Sequence, residues 1–155
     1  MKESDRRTKI ILYSKLFLII LFLISVIFLS GCGGKKEVDY SRVESASEKQ
    51  IEKIKFGIKK ETNAEIGNFF VVKSNDFEKV YFVATRLSGP GISDDCIGVW
   101  AISGDKNDPG MIFSVNGIAK EFSDYPAGNK TTTNVTMSDD GADLVEKYIL
   151  NKVGD

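Results

Sequence analysis

Apolar positions are spread unevenly along the chain. Leu16 to Leu29 form a block of fourteen residues in which Ser25 is the only polar one. From Tyr40 to Glu61, in "YSRVESASEKQIEKIKFGIKKE", Val43, Ala46, Ile51, Ile54 and Ile58 recur at helical spacing, with Glu and Lys filling the other face. That pattern predicts an amphipathic helix. Ser41 and Glu44 fit a capping box at its start, each side chain satisfying a free backbone N–H of the other's turn. Gly57 weakens the last turn. Four runs rich in Val, Ile, Phe, Tyr and Trp follow: Asn68 to Ser74, Lys79 to Leu87, Cys96 to Ser103 and Gly110 to Val115. Their composition predicts strands. The breaks "NDFE", "SGPGISDD" and "GDKNDP" carry turn chemistry, and links this short favour an antiparallel meander.

The remaining segment alternates short elements with polar loop. "NGIAKEFSDY" predicts a helix of about two turns through Ile118, Ala119 and Phe122. "PAGNKTTTNVTM" reads as loop, with an edge strand through Thr133, Val135 and Met137. "SDDGADLVEKYIL" predicts a final helix capped by Ser138, with Asp139 and Asp140 at the positive end of its dipole and Leu144, Val145, Tyr148 and Ile149 on its buried side. The fold class expected is therefore α+β: an N-terminal helix, a four-stranded antiparallel meander, then a short helix and a C-terminal helix packed on the sheet. This order resembles cystatin-like and similar open-faced folds. Such a likeness implies architecture without function.

The apolar block at residues 16–29 sits in a telling context. Lys2, Arg6, Arg7, Lys9 and Lys15 precede it, and an apolar core of about 7–15 residues behind a positive start is the secretory signal pattern. A spanning helix needs about 20 apolar residues, and Lys15 interrupts the longer run from Ile10. The block ends in Leu29-Ser30-Gly31-Cys32, which resembles the lipobox of bacterial lipoproteins at every position. The resemblance implies cleavage between Gly31 and Cys32 and a diacylglyceryl thioether on Cys32. Two acyl chains hold a protein to a bilayer far more tightly than one. An uncleaved anchor or a buried hydrophobic helix are the competing readings. The division expected is a signal peptide over 1–31, the lipidated Cys and a flexible tether over 32–39, and a single domain over 40–155. The residue after the Cys is Gly33 rather than Asp, so by lipoprotein sorting rules the chain carries no inner-membrane retention signal of the Gram-negative kind.

Charge and composition narrow the chemistry. Of 21 basic and 22 acidic residues, the five cations above, with Glu3 and Asp5, precede Cys32, leaving 16 basic and 20 acidic from Cys32 onward. A weakly acidic domain is a poor match for nucleic acid. The chain has no His, which excludes Ser-His-Asp and Cys-His nucleophiles and His-ligated metals. The cysteines are Cys32 and Cys96. Lipidation of the first leaves Cys96 alone, beside acids that blunt a thiol. A half-buried structural Cys is the expectation.

Candidate sites are few. "DKNDPG" has Pro109 and Asn116 where a calcium loop needs its fifth-position ligand and its bidentate Glu, so it reads as a hairpin turn. The acid pairs Asp94-Asp95 and Asp139-Asp140 are the minimum kit for glycoside hydrolysis, but sequence neighbours do not face one another across a cleft. "SGPGISDD", Ser88 to Asp95, is longer than a hairpin needs. Pro90, Asp94 and Asp95, with Trp100 and Tyr125 nearby, would make a recognition edge. The plainer reading, a connecting loop with Trp100 in the core, is preferred. Asp124, Tyr125 and Asn129 in "EFSDYPAGNK" form a second candidate surface, again with simple loop folding as the preferred alternative.

The segment from Phe69 to Ala142 contains "GVWA", then "SVNGIAKEFSD", then "MSDDGA". In that order it resembles a group of uncharacterised secreted or lipid-anchored bacterial domains, which implies no activity. The expectation is a non-enzymatic binding or interaction module, lipid-anchored on the outer face of the cytoplasmic membrane. It would need no cofactor or metal, and its partners would be the bilayer and an envelope protein or ligand. An envelope hydrolase using a carboxylate pair and a structural or regulatory subunit of a membrane complex are the alternatives.

Overall fold

Each apolar run pairs with the next along the chain. The computed structural model describes residues 38–93 and 95–152. The expected signal segment, Gly31, Cys32 and the tether as far as residue 37 lie outside these, as does Asp94. Strands β1 (Glu44–Ser45), β2 (Glu65–Lys73), β3 (Val80–Ser88), β4 (Ile97–Asp105) and β5 (Asp108–Ser114) form one antiparallel sheet in the order β1-β2-β3-β4-β5. The helices are α1 (Glu48–Phe56), α2 (Gly117–Phe122) and α3 (Ala142–Lys152). The architecture is α+β as expected, with five strands instead of four.

The sheet is covered on both faces. Val72, Phe82, Ala84, Val99, Ala101 and Phe113 pack with Val145 and Ile149 of α3. Their strand neighbours Val71, Val83, Trp100, Ile102 and Ile112 pack with Ile54 of α1 and with Ala119 and Phe122 of α2. An antiparallel sheet with one wet face shows alternation. Here both pleats are dry, so β3 and β4 read as unbroken apolar runs. Burying a large side chain of this kind contributes roughly 1.5–3 kcal/mol, and Phe82 and Trp100 are completely enclosed.

The long first helix is not formed. Glu44 and Ser45 pair with Val71 and Phe70 as β1, and the Ala46 N–H donates to the Phe69 carbonyl at 3.1 Å. The capping box is Ser47 with Gln50: the Gln50 N–H donates to Ser47 Oγ at 3.3 Å and the Ser47 N–H to Gln50 Oε1 at 3.0 Å. Two S-x-x-[E/Q] boxes stand in tandem, and the second wins because the sheet edge claims the backbone of the first. The expected apolar stripe is consequently split. Val43 joins the α3 side, while Ala46, Ile51 and Ile58 join the α1 side. Lys53 of α1 reaches the end of β5, where its Nζ donates to the carbonyls of Pro109 and Gly110.

The last helix begins later than its sequence suggests. Ser138 does not cap it. Asp139 Oδ2 accepts the Thr136 N–H at 2.5 Å, closing a local turn, and Asp140 is committed elsewhere. Gly141 sits at φ +99°, a left-handed conformation that glycine adopts freely, and its carbonyl takes the Val145 N–H to open α3. No strand runs through Thr133 to Met137 among the described residues. Asn134 turns the chain at φ 48° and drives Val135, 1% exposed, into the core. The short helix α2 is as expected, capped by Asn116, whose side chain accepts the Ala119 N–H at 2.9 Å.

Candidate functional site

The residues singled out from sequence do not assemble into one surface. Pro90 and Asp95 are exposed in the β3–β4 loop, which Ile92 folds down onto the core beside half-buried Cys96. Trp100 is removed from any recognition edge: it lies under α2, 0% exposed, with Nε1 donating to Ser123 Oγ at 3.0 Å. Tyr125 is structural as well. Its hydroxyl donates to the Lys53 carbonyl near the end of α1, and burial raises its pKa. Asp124 is exposed, with its N–H bonded to the Gly57 carbonyl at 2.9 Å. Among the described residues no hydrogen bond joins the 88–95 loop to Asp124 or Tyr125.

The paired acids are engaged separately. Arg42 donates to both oxygens of Asp140, at 3.1 and 2.6 Å, and Asp140 Oδ2 also accepts the Asn75 N–H at 3.1 Å. The Arg42 hydrogen bonds hold the Asp140 carboxyl below the ordinary carboxylate range, and Asp140 in turn raises Arg42. A general acid needs its pKa moved upward. The carboxyls with a displaced pKa among the described residues, Asp140 and Asp39, are both moved down, Asp39 by the Ser41 N–H. Among the described residues no cluster of three His, Cys, Asp or Glu is placed to hold a metal ion, and no helix is long and apolar enough to cross a membrane.

The feature that sequence reasoning missed lies near the end of β3, where it pairs with the start of β2. Between the pairs Ile66–Leu87 and Phe69–Thr85, two residues of β2, Gly67 and Asn68, oppose a single residue of β3, Arg86. This is a β-bulge, a device that bends a strand and re-aims side chains. It opens a cleft of about 270 Å³ lined by Gly67, Asn68, Phe70, Arg86, Ile149 and Lys152. Arg86 follows Phe82 and Ala84 on the α3 face of the sheet. Its Nε is buried with no hydrogen-bond partner, and it joins none of the ion pairs formed among the described residues. A buried donor left unpaired costs about 1–3 kcal/mol, more when charged. On the far wall, Lys152 Nζ sits 5.0 Å from the ring centroids of both Phe70 and Tyr148, and those rings meet edge to face at 4.9 Å.

Two other clefts lack this property. One of about 250 Å³ is lined by Arg42, Glu44, Val71, Lys73, Asn75 and Lys106. There Arg42 is spent on Asp140, and Lys106 on Glu44. Another of about 240 Å³, beside Ser114, Asn116, Lys120, Asn129 and Lys130, has its buried polar groups satisfied: Asn116 bonds Val99, Ile97 and Glu146. The signal for the missed site was present in sequence, since Arg86 is a lone charge at an inward position of "VYFVATRLS". What it required was the bulge opposite it and the end of α3 above it.

Comparison with protein-family models, with curated proteins and with solved structures finds no match to the chain.

Proposed function

We propose that this protein is a lipid-anchored, extracytoplasmic binding module of the bacterial cell envelope, fixed to the membrane by diacylglyceryl-Cys32 and working without catalysis. The observation that carries the binding role is Arg86: a cation with a buried, unpartnered Nε beside an open cleft, opposite the β2 bulge at Gly67 and Asn68. Unsatisfied buried polar groups are uncommon in folded proteins and call for an explanation, and a ligand that arrives from solution supplies one. Support for the anchored location comes from the basic start, the apolar block of Leu16 to Leu29 and the Leu29–Cys32 tetrapeptide.

Intact mass and membrane fractionation of wild type beside Cys32→Ala test the anchor. The expected wild type lacks residues 1–31, carries the diacylglyceryl mass and pellets with membranes, while the variant shows none of the three. A mass difference of the substitution alone, with the same partitioning of the two proteins, would overturn the anchor and return Cys32 to the pool of thiols open to pairing with Cys96.

A further inference from the structure

We infer that the cleft beside Arg86 receives a small organic carboxylate with an apolar body, its charged end on Arg86 and Lys152 and its body against Phe70 and Ile149. This rests on the reading of that cleft as a binding site, and adds the chemistry of the ligand.

Three observations select this class. A guanidinium offers a planar fork of donors matched to a planar two-oxygen acceptor, and the fork of Arg86 is unspent within the described protein. Lys152 is held in place through its contacts with the Phe70 and Tyr148 rings, which consume none of its N–H donors.

Phe70 and Ile149 form the apolar part of the lining. An inorganic anion would leave that surface wet, whereas a ligand with an aromatic or branched aliphatic body would cover it. At about 270 Å³ the cleft lies just under the usual 300–1,000 Å³ range of ligand pockets, so the body is about the size of a single ring or a short branched chain. The bulge at Gly67-Asn68 and the end of α3 are the two rims. The ligand would bridge the sheet to the helix.

The test uses the full-length protein in mild detergent, with equilibrium dialysis against radiolabelled phenylacetate. Phenylacetamide, which has the same body without the charge, and inorganic phosphate are the comparators. Phenylacetate is expected to bind at one saturable site, with phenylacetamide weaker by roughly tenfold or more, as loss of a charge-assisted hydrogen bond requires, and with phosphate a poor competitor. Lys152→Gln should weaken phenylacetate several-fold. Arg86→Met should abolish binding while raising the melting temperature by a few degrees, because it removes a buried group with no partner. Arg86→Lys should retain part of the affinity.

The inference fails if phenylacetate and phenylacetamide bind alike, which would make the cleft a plain apolar hole, or if phosphate competes as an equal. It also fails if no probe binds, or if Arg86→Met melts lower than wild type, which would make Arg86 a structural residue. None of these results touches the fractionation of Cys32→Ala. A protein that pellets with membranes but ignores phenylacetate keeps its anchor and loses this ligand. One that binds phenylacetate but stays soluble does the reverse.

Discussion

The ring of Tyr125 fills the space that a side chain at Gly57 would need: a Cβ there would fall 2.4 Å from Tyr125 Cε2 and Cζ. Gly57 has φ −95°, open to any L-residue, so close approach and not backbone freedom demands the glycine. The Tyr125 hydroxyl bonds the Lys53 carbonyl, and together these contacts hold the end of α1 to the segment after α2. Gly57→Ala should therefore cost about 1–3 kcal/mol as an overpacking change, and Tyr125→Phe about 1 kcal/mol for the hydrogen bond. In a Tyr125→Ala background the Gly57→Ala penalty should largely vanish, which a double-mutant cycle by urea denaturation would read as strong coupling. Additive losses would disprove the clash.

Ser123 is the hub of a small buried network. Its Oγ accepts from Trp100 Nε1 at 3.0 Å, donates to the Ala119 carbonyl at 2.5 Å and meets Ser114 Oγ at 3.2 Å. Ser123→Ala leaves the indole N–H without a partner in a dry core and should cost about 1–3 kcal/mol. Trp100 is the only tryptophan in the chain, so its emission reports both results at once. The transition should move to lower urea, with the folded-state spectrum staying blue. A red-shifted folded spectrum would mean that the indole had moved to water instead.

Arg42 and Asp140 are 98 residues apart and tie the segment before β1 to the start of α3. Both side chains are a little over a third exposed, at 35% and 37%, so solvent screening limits the pair to about 0.5–1 kcal/mol. Asp140 has a folded pKa below its ordinary 3.8. Its contribution is thus present in full above the unfolded value and is lost as pH falls through the depressed folded value. Asp140→Asn should be less stable than wild type at about pH 7, and the gap should narrow progressively as pH falls below the ordinary 3.8. An unchanged gap across that range would show that the carboxylate charge is not what matters.

The strands were legible because their residues carry the β signal locally: "VYFVATRL" and "CIGVWAIS" are apolar whichever face they turn. The same double burial hid which residue faces which helix, since no polar alternation marks the faces. β1 was illegible for a different reason. Glu44 and Ser45 have no strand preference of their own and are extended only because β2 offers them a partner. The start of α3 was misplaced because Asp139 and Asp140 look like N-terminal acids, yet they are consumed by Thr136 and Arg42. Trp100 takes its core alternative, completely buried, and Tyr125 its alternative of folding the loop down, through its hydroxyl on the Lys53 carbonyl. The cleft depends on a one-residue mismatch between β2 and β3 and on a helix some 60 residues later, which no local pattern encodes.

The contact between Lys53 and the Pro109 and Gly110 carbonyls bears on how copies of this chain behave when crowded. A sheet rim with a row of free backbone groups is a template for a foreign strand. Along β5, Lys53 occupies two carbonyls, Pro109 has no N–H to offer, and the Ser114 N–H is already given to Pro126. At the opposite rim, β1 is only two residues long. On the β5 side, sheet extension from one molecule into the next would have to displace Lys53 of α1 first. That rim is in this respect guarded against pairing with a neighbouring copy, even where copies are packed densely.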